Sequence, residues 1–310
     1  MSYHPRIESK KYASFITTRS RNSELWFVNN EPLENAVLGY LAKFSDRYNV
    51  RLYAFAIEGN HTQFPALFPE AKRSHFMRDL NSCIARAIPR YCAAYPGGSF
   101  WERRFSSEVI ARPEDIEDQF FYTVLQPVQD GLVEKISEYP GYNCFHDAVN
   151  GIRRKYTVVN WAKYNADSRY RAVNIKDYIE IVELHYTRLP GYEALSQKDY
   201  ANLMHKKLEE RRLKIVNARR KAGLGFVGRE KLSKVKPGTR PKNSKRSSRM
   251  DHRPRVLSSD DKARAECMAW YFAIHYQYRE SSKRYRAGEW ATEFPEGTYR
   301  PYCDSHPGKP

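Results

Sequence analysis

The stretch R-L-Y-A-F-A-I-E-G-N-H-T-Q-F, residues 51–64, decides how this chain is read. Residues 50–57 alternate apolar and aromatic side chains, as a strand does. Gly59 and Asn60 supply a turn, and His61 and Gln63 follow on the far side of it. In an extended segment the two side chains project from one face. Working outward, residues 12–19 (Y-A-S-F-I-T-T-R) form a second aromatic and β-branched strand, and 100–110 (F-W-E-R-R-F-S-S-E-V-I) a third. Apolar residues at helical spacing mark helices over 32–48 and 74–91, the latter closed by the Pro96–Gly98 turn. Another helix runs over 113–126, opened by Pro-Glu-Asp and stopped by Pro127. This alternation of strands and helices, with polar strands, predicts an α+β fold.

After residue 150 the character changes. Residues 158–187 and 196–222 read as helices separated by L-P-G-Y-E at 189–193. The 223–255 stretch is rich in Gly, Pro, Ser, Lys and Arg, and no regular structure is expected there. Its glycines around Phe226 do not make a G-x-G-x-x-G loop, which excludes a dinucleotide fingerprint. Residues 258–287 are helical and aromatic, before a Pro- and Gly-rich tail. The expected organisation is a first unit at 1–150, a helical region at 151–222, a basic linker at 223–256 and a helical segment with tail at 257–310.

The net charge of +17 is concentrated. Residues 203–256 hold 19 Lys and Arg against four acids, and the remaining 34 basic and 32 acidic residues nearly cancel. A local run of this kind points to phosphate backbones, each neutralised phosphate releasing a counterion. A solvated linker is the ordinary alternative. Five cysteines without a CxxC pair read as reduced thiols. With no long apolar run and no apolar leader, a cytoplasmic, nucleoid-associated protein is expected.

A second stretch, D-Q-F-F-Y-T-V-L-Q-P-V-Q-D-G-L-V at 118–133, places Tyr122 and Gln126 four apart, on one helix face. His61 and Gln63 are two neutral ligands for a divalent ion, and Gln126 is a candidate third. Oxygen- and amide-rich ligation favours Mg²⁺ or Mn²⁺. Beside such an ion a tyrosine can attack a phosphate in line, leaving a 5′-phosphotyrosine and a free 3′-hydroxyl. Each residue also has a plainer reading. A histidine at a strand end is commonly a hydrogen-bonded surface group, and Tyr122 follows Phe120 and Phe121 where aromatics are normally core.

These stretches resemble the single-tyrosine HUH transposases, in the REP-associated tyrosine transposase branch. The family's P-N-H-x-H strand end is met by G-N-H-T-Q-F, and its G-x-x-W-x-R-x-F strand by G-S-F-W-E-R-R-F at 98–105. Its Y-I-x-x-N-P-V-x-A-G-L-V helix is met by Y-T-V-L-Q-P-V-Q-D-G-L-V from Tyr122 to Val133. E-Y-P-G-Y at 138–142 is similar to the Y-P-W-S-S that follows in the family. The resemblance covers about residues 10–150.

The resemblance implies a ferredoxin-like catalytic domain with an antiparallel sheet, acting on single-stranded DNA beside a hairpin as a monomer or homodimer. It makes Tyr122 the nucleophile, His61 the first metal ligand and Gln126 the helix residue that completes the site. Gln63 stands where the family has a second histidine. A hairpin-binding protein without catalysis, with DNA or RNA as ligand, is therefore the rival reading. The nucleic-acid contacts expected are Arg103 and Arg104, together with Arg219, Arg220, Lys221, Phe226, Lys242, Lys245, Arg246 and Arg249 as a group.

Overall fold

The computed structural model describes residues 5–241 and 255–303. Strand β1 (Ala13–Arg19) leads into helix α1 (Glu31–Arg47). Asn30 caps α1 by accepting from the Leu33 amide, and Leu33, Val37, Leu41 and Phe44 face inward. Two short strands follow, β2 (Arg51–Leu52) and β3 (Ala56–Glu58), then the longer β4 (His61–Leu67). The expected single strand over 50–57 is broken because its partner contains Pro65, which has no N–H for the ladder. The Phe55 amide turns instead to the Cys144 thiol.

Helix α2 (Arg73–Tyr91), strand β5 (Ser106–Ile110) and helix α3 (Asp115–Gln129) complete the first half. The sheet order is β2–β4–β1–β5, with β3 also on β4 and every neighbour antiparallel. Counting β2 and β3 as one split strand, this is the β-α-β-β-α-β arrangement of ferredoxin-like folds. α1 and α2 cover one face, where Phe76 of α2 meets Phe64 beside Ile16, all fully buried. Burying each such side chain contributes roughly 2–3 kcal/mol. α3 lies on the other face, where Tyr122 meets Phe15.

The second half comprises α4 (Phe145–Asn150), β6 (Arg154–Val159), α5 (Trp161–Asp167), β7 (Ile179–Leu184), α6 (Gln197–Lys221), α7 (Arg229–Leu232), β8 (Val256–Leu257) and α8 (Asp261–Arg286). It packs on the first half at several places. β6 and β7 form an antiparallel ribbon over α1. Gly39 permits that approach, since a Cβ there would lie 2.8 Å from Val158 Cγ2. α6 lies against α3 and α4. β8 joins the sheet parallel to β5, and Ser258 and Ser259 donate to the buried Asp115 carboxylate.

Three local expectations are corrected. Residues 158–187 are not one helix, because Val158 pairs with Glu180 and Val159 with Ile179, and the β-branched side chains favour the ribbon. Pro127 does not stop α3, which runs on to Gln129; a proline in the last turn costs one hydrogen bond and is tolerated there. The third strand starts at Ser106 rather than 100, the preceding loop meeting the end of β1 through an isolated bridge between Ser20 and Trp101. Cys83, Cys92, Cys144 and Cys267 are free thiols.

Glu34 on α1 accepts the Tyr142 amide at 2.9 Å, and burial pushes its carboxyl up to about 7. A carboxyl raised on folding stabilises fully below its ordinary value of 4.5 and loses that contribution as pH rises through about 7. Glu34→Gln keeps the shape and the acceptor oxygen without the titration. Its stability should match the wild type near pH 5 and exceed it at pH 8 by on the order of 1–2 kcal/mol. Thermal melts at the two pH values check this, and a difference independent of pH would contradict it.

Candidate active site

Gly59 and Asn60 make a two-residue hairpin turn that sets Glu58 directly opposite His61. On the other side of β4, Arg19 of β1 is also opposite His61. Glu58, His61 and Arg19 therefore form one row across three strands, on the face that α3 covers. Gln63 lies in the next row, between Ala56 and Thr17. Thr62 and Phe64 alternate to the opposite face.

The hydrogen bonds fix which atoms are left over. Asn60 Nδ2 donates to the Ser23 carbonyl, so its Oδ1 faces His61 Nδ1 at 2.8 Å. An amide oxygen only accepts, so Nδ1 carries the proton and Nε2 keeps its lone pair. Burial, aided by Arg19, lowers the His61 imidazole to about 3, and it is neutral near pH 7. Gln126 Nε2 donates to Asp130 at 3.0 Å, which turns its Oε1 toward Gln63 Nε2 at 3.2 Å. Gln63 Oε1 is then free of a partner in this network.

Tyr122 stands one turn before Gln126 and is 40% exposed. Its ring packs edge-on against Phe15 at 5.6 Å. Burial foremost, then Asp130 and Glu108, raise the phenol above its ordinary value, while Arg19 and Arg255 oppose them. Arg255 is held in place by an ion pair with Glu108. Beside Tyr122 a groove of about 610 Å³ runs between α3 and α6, bordered by Lys207, Arg211 and Lys214.

His61, Gln63, Gln126 and Tyr122 are thus brought to one place by β4 and α3. Four more members were not singled out from sequence: Glu58, Asp130, Arg19 and Arg255. Two had a signal. Asp130 follows Gln126 at the same four-residue step that joins Gln126 to Tyr122, and the Gly-Asn turn implies the Glu58–His61 pairing. Glu58 is buried, with Oε1 unpartnered among the described residues, and burial with Asp130 nearby raises it to about 8. Among the described residues, no three His, Cys, Asp or Glu side chains converge on one metal position.

The expected nucleic-acid contacts separate into groups. Arg103 and Arg104 are exposed on the loop before β5. Arg219 donates to the carbonyls of Gln129 and Gly225 and lies over the Phe226 ring, so both hold the end of α6 against α3. The α3 exit accommodates this guanidinium because Gly131, at φ 73°, offers no Cβ to meet it. Arg220 pairs with Glu134 at 2.8 Å, whereas Lys221 is exposed. Lys242, Lys245, Arg246 and Arg249 lie outside the described residues.

No protein-family model matches the chain. A curated Haemophilus influenzae protein named as a REP-associated tyrosine transposase is 26% identical over 110 residues. The chain is similar to the REP-associated tyrosine transposases. That match takes in 33% of this chain and 62% of the relative's own length. A solved REP-associated tyrosine transposase bound to a REP hairpin is 20% identical, covers 47% of this chain and 84% of its own, and has a TM-score of 0.40. No helix among the described residues is long and apolar enough to cross a membrane.

Proposed function

We propose that this protein is a divalent-metal-dependent tyrosine endonuclease and strand transferase. It cuts single-stranded DNA beside a hairpin and rejoins it through a 5′-phosphotyrosine. The observation that carries this reading is the packing of α3, with Tyr122 and Gln126 one turn apart, on β4, with His61 and Gln63, tied by the Gln63–Gln126 hydrogen bond. Similarity to a named transposase supports it.

The donor set fits a hard cation. His61 Nε2 is neutral and available, Gln63 Oε1 and Gln126 Oε1 are amide oxygens, and Asp130 accepts from the Gln126 amide and so orients its oxygen. His61, Gln63 and Gln126 would hold the ion, which supplies positive charge to a non-bridging phosphate oxygen. The protein's own groups do the rest. Tyr122 Oη loses its proton and bonds to phosphorus as the bond to the 3′ oxygen breaks, and that oxygen takes up a proton. Arg19 and Arg255 favour the phenolate and balance the phosphate charge. One phosphate ester replaces another, so a 3′-hydroxyl can reverse the step and join a new strand.

Chelation tests the dependence on metal. With a pooled hairpin-bearing single-stranded library and Mg²⁺ or Mn²⁺, a denaturant-resistant protein–DNA band is expected, lost with excess EDTA and restored by Mn²⁺. A band of equal yield in EDTA would remove the metal from the reading. The rival reading is a hairpin DNA- or RNA-binding protein without catalysis. It is favoured by one observation: Gln63, standing where the family has a second histidine, donates its amide to Gln126 Oε1.

A further inference from the structure

Away from Tyr122, on the sheet face that carries α2, a cleft of about 830 Å³ lies between α2, the 99–105 loop, the N-terminal arm and the segment after α8. Five arginines line it against one acid, Glu102. Arg78 is paired with Asp79, but Arg6, Arg103, Arg104 and Arg300 form no ion pair among the described residues. The half-buried Arg6 guanidinium sits over the Phe105 ring, 4.3 Å from its centroid. Burial, then the charges of Arg104, Arg73 and Arg103, lower it to about 10. Such crowding of like charge is relieved by an anion.

The cleft also offers a stacking surface. Tyr299 is 44% exposed, and its hydroxyl is held by the Glu8 carboxylate at 3.1 Å. Guanidinium groups beside a fixed, exposed ring suit unpaired bases on a phosphate backbone, whereas a duplex would present its phosphates alone. The 99–105 loop also touches the catalytic row, since the Glu102 amide donates to the Arg19 carbonyl at 3.0 Å.

We propose that this cleft is a second grip for nucleic acid, holding the unpaired single-stranded DNA flank with phosphates on Arg103, Arg104 and Arg300 and a base against Tyr299 and Arg6. Its ligand rests on the DNA-processing reading above, but it requires no catalysis.

The test is fluorescence anisotropy of labelled (dT)20 and of a blunt hairpin without overhang, using the full chain. Arg103→Glu/Arg104→Glu should weaken (dT)20 binding about tenfold or more at roughly 100 mM salt and flatten its log–log salt slope by about 1.4. The blunt hairpin should lose less than about threefold. A Lys176→Glu/Lys198→Glu variant, equal in charge change and remote from the cleft, should stay within about twofold. Both residues mutated in the cleft are exposed loop positions, and unchanged melting temperatures confirm that the fold is kept. Unchanged (dT)20 affinity, equal loss on both ligands, or a wild type that ignores (dT)20 would each overturn the proposal. Adduct formation is read separately at saturating DNA. Lost (dT)20 binding in the variant with no adduct from the wild type keeps the cleft and removes the endonuclease reading.

Discussion

Tyr122→Phe is expected to abolish covalent protein–DNA adducts, by at least about a thousandfold, while DNA affinity stays within about twofold. The size of the loss follows from the role. With no phenolic oxygen there is no nucleophile, and the neighbouring side chains cannot replace it. The selectivity follows from the surroundings. Tyr122 is 40% exposed, and its edge-on ring packing with Phe15 survives in phenylalanine. The hydroxyl holds no hydrogen bond among the described residues, so stability should change by less than about 0.5 kcal/mol. A melting curve, a binding isotherm and a denaturing gel on the same preparation separate these effects. Adducts persisting at wild-type yield would show that another residue is the nucleophile.

Gln63→His is the second large change expected, and it separates the two functional readings. It exchanges an amide oxygen for an imidazole nitrogen, a stronger donor for first-row divalent ions. It also frees Gln126 Oε1, which now accepts from Gln63. Thr17 and Ala56, the flanking residues of the sheet, are small enough to admit the ring. Affinity for Mn²⁺ or Co²⁺ should rise by on the order of tenfold or more, measured by metal titration. If the wild type forms adducts, the variant should keep that activity and accept softer metals. If adducts appear only in the variant, the natural protein is a binder whose site has lost a ligand.

How much of this was legible in the sequence differs from element to element. The hairpin turn, the face shared by His61 and Gln63, and the four-residue step from Tyr122 to Gln126 were readable because strand and helix periods are local properties. The split of β2 from β3 was not, since its cause is Pro65 on the partner strand. Residues 158–187 were misread as helix because the ribbon's pairing joins residues 20 to 30 apart, and short apolar runs do not distinguish the two states. Arg19 enters the site only through the β1–β4 register, which no local pattern reports. Arg255 reaches Glu108 because β8 adds to the sheet from a stretch read as linker. Arg219 looked like a free phosphate contact because charge is visible in sequence, while the carbonyls it caps are not.

The most direct measurement is to locate the covalent bond. The adduct formed with Mn²⁺ would be digested with nuclease and trypsin, and the modified peptide sequenced by mass spectrometry. The chain contains 23 tyrosines, so the site of attachment is a stringent readout. A nucleotide remnant on Tyr122, joined through its 5′ phosphate, is the predicted result. A remnant on any other residue, or none from a preparation that binds DNA, would contradict the assignment of β4 and α3 as a phosphotyrosine-forming site.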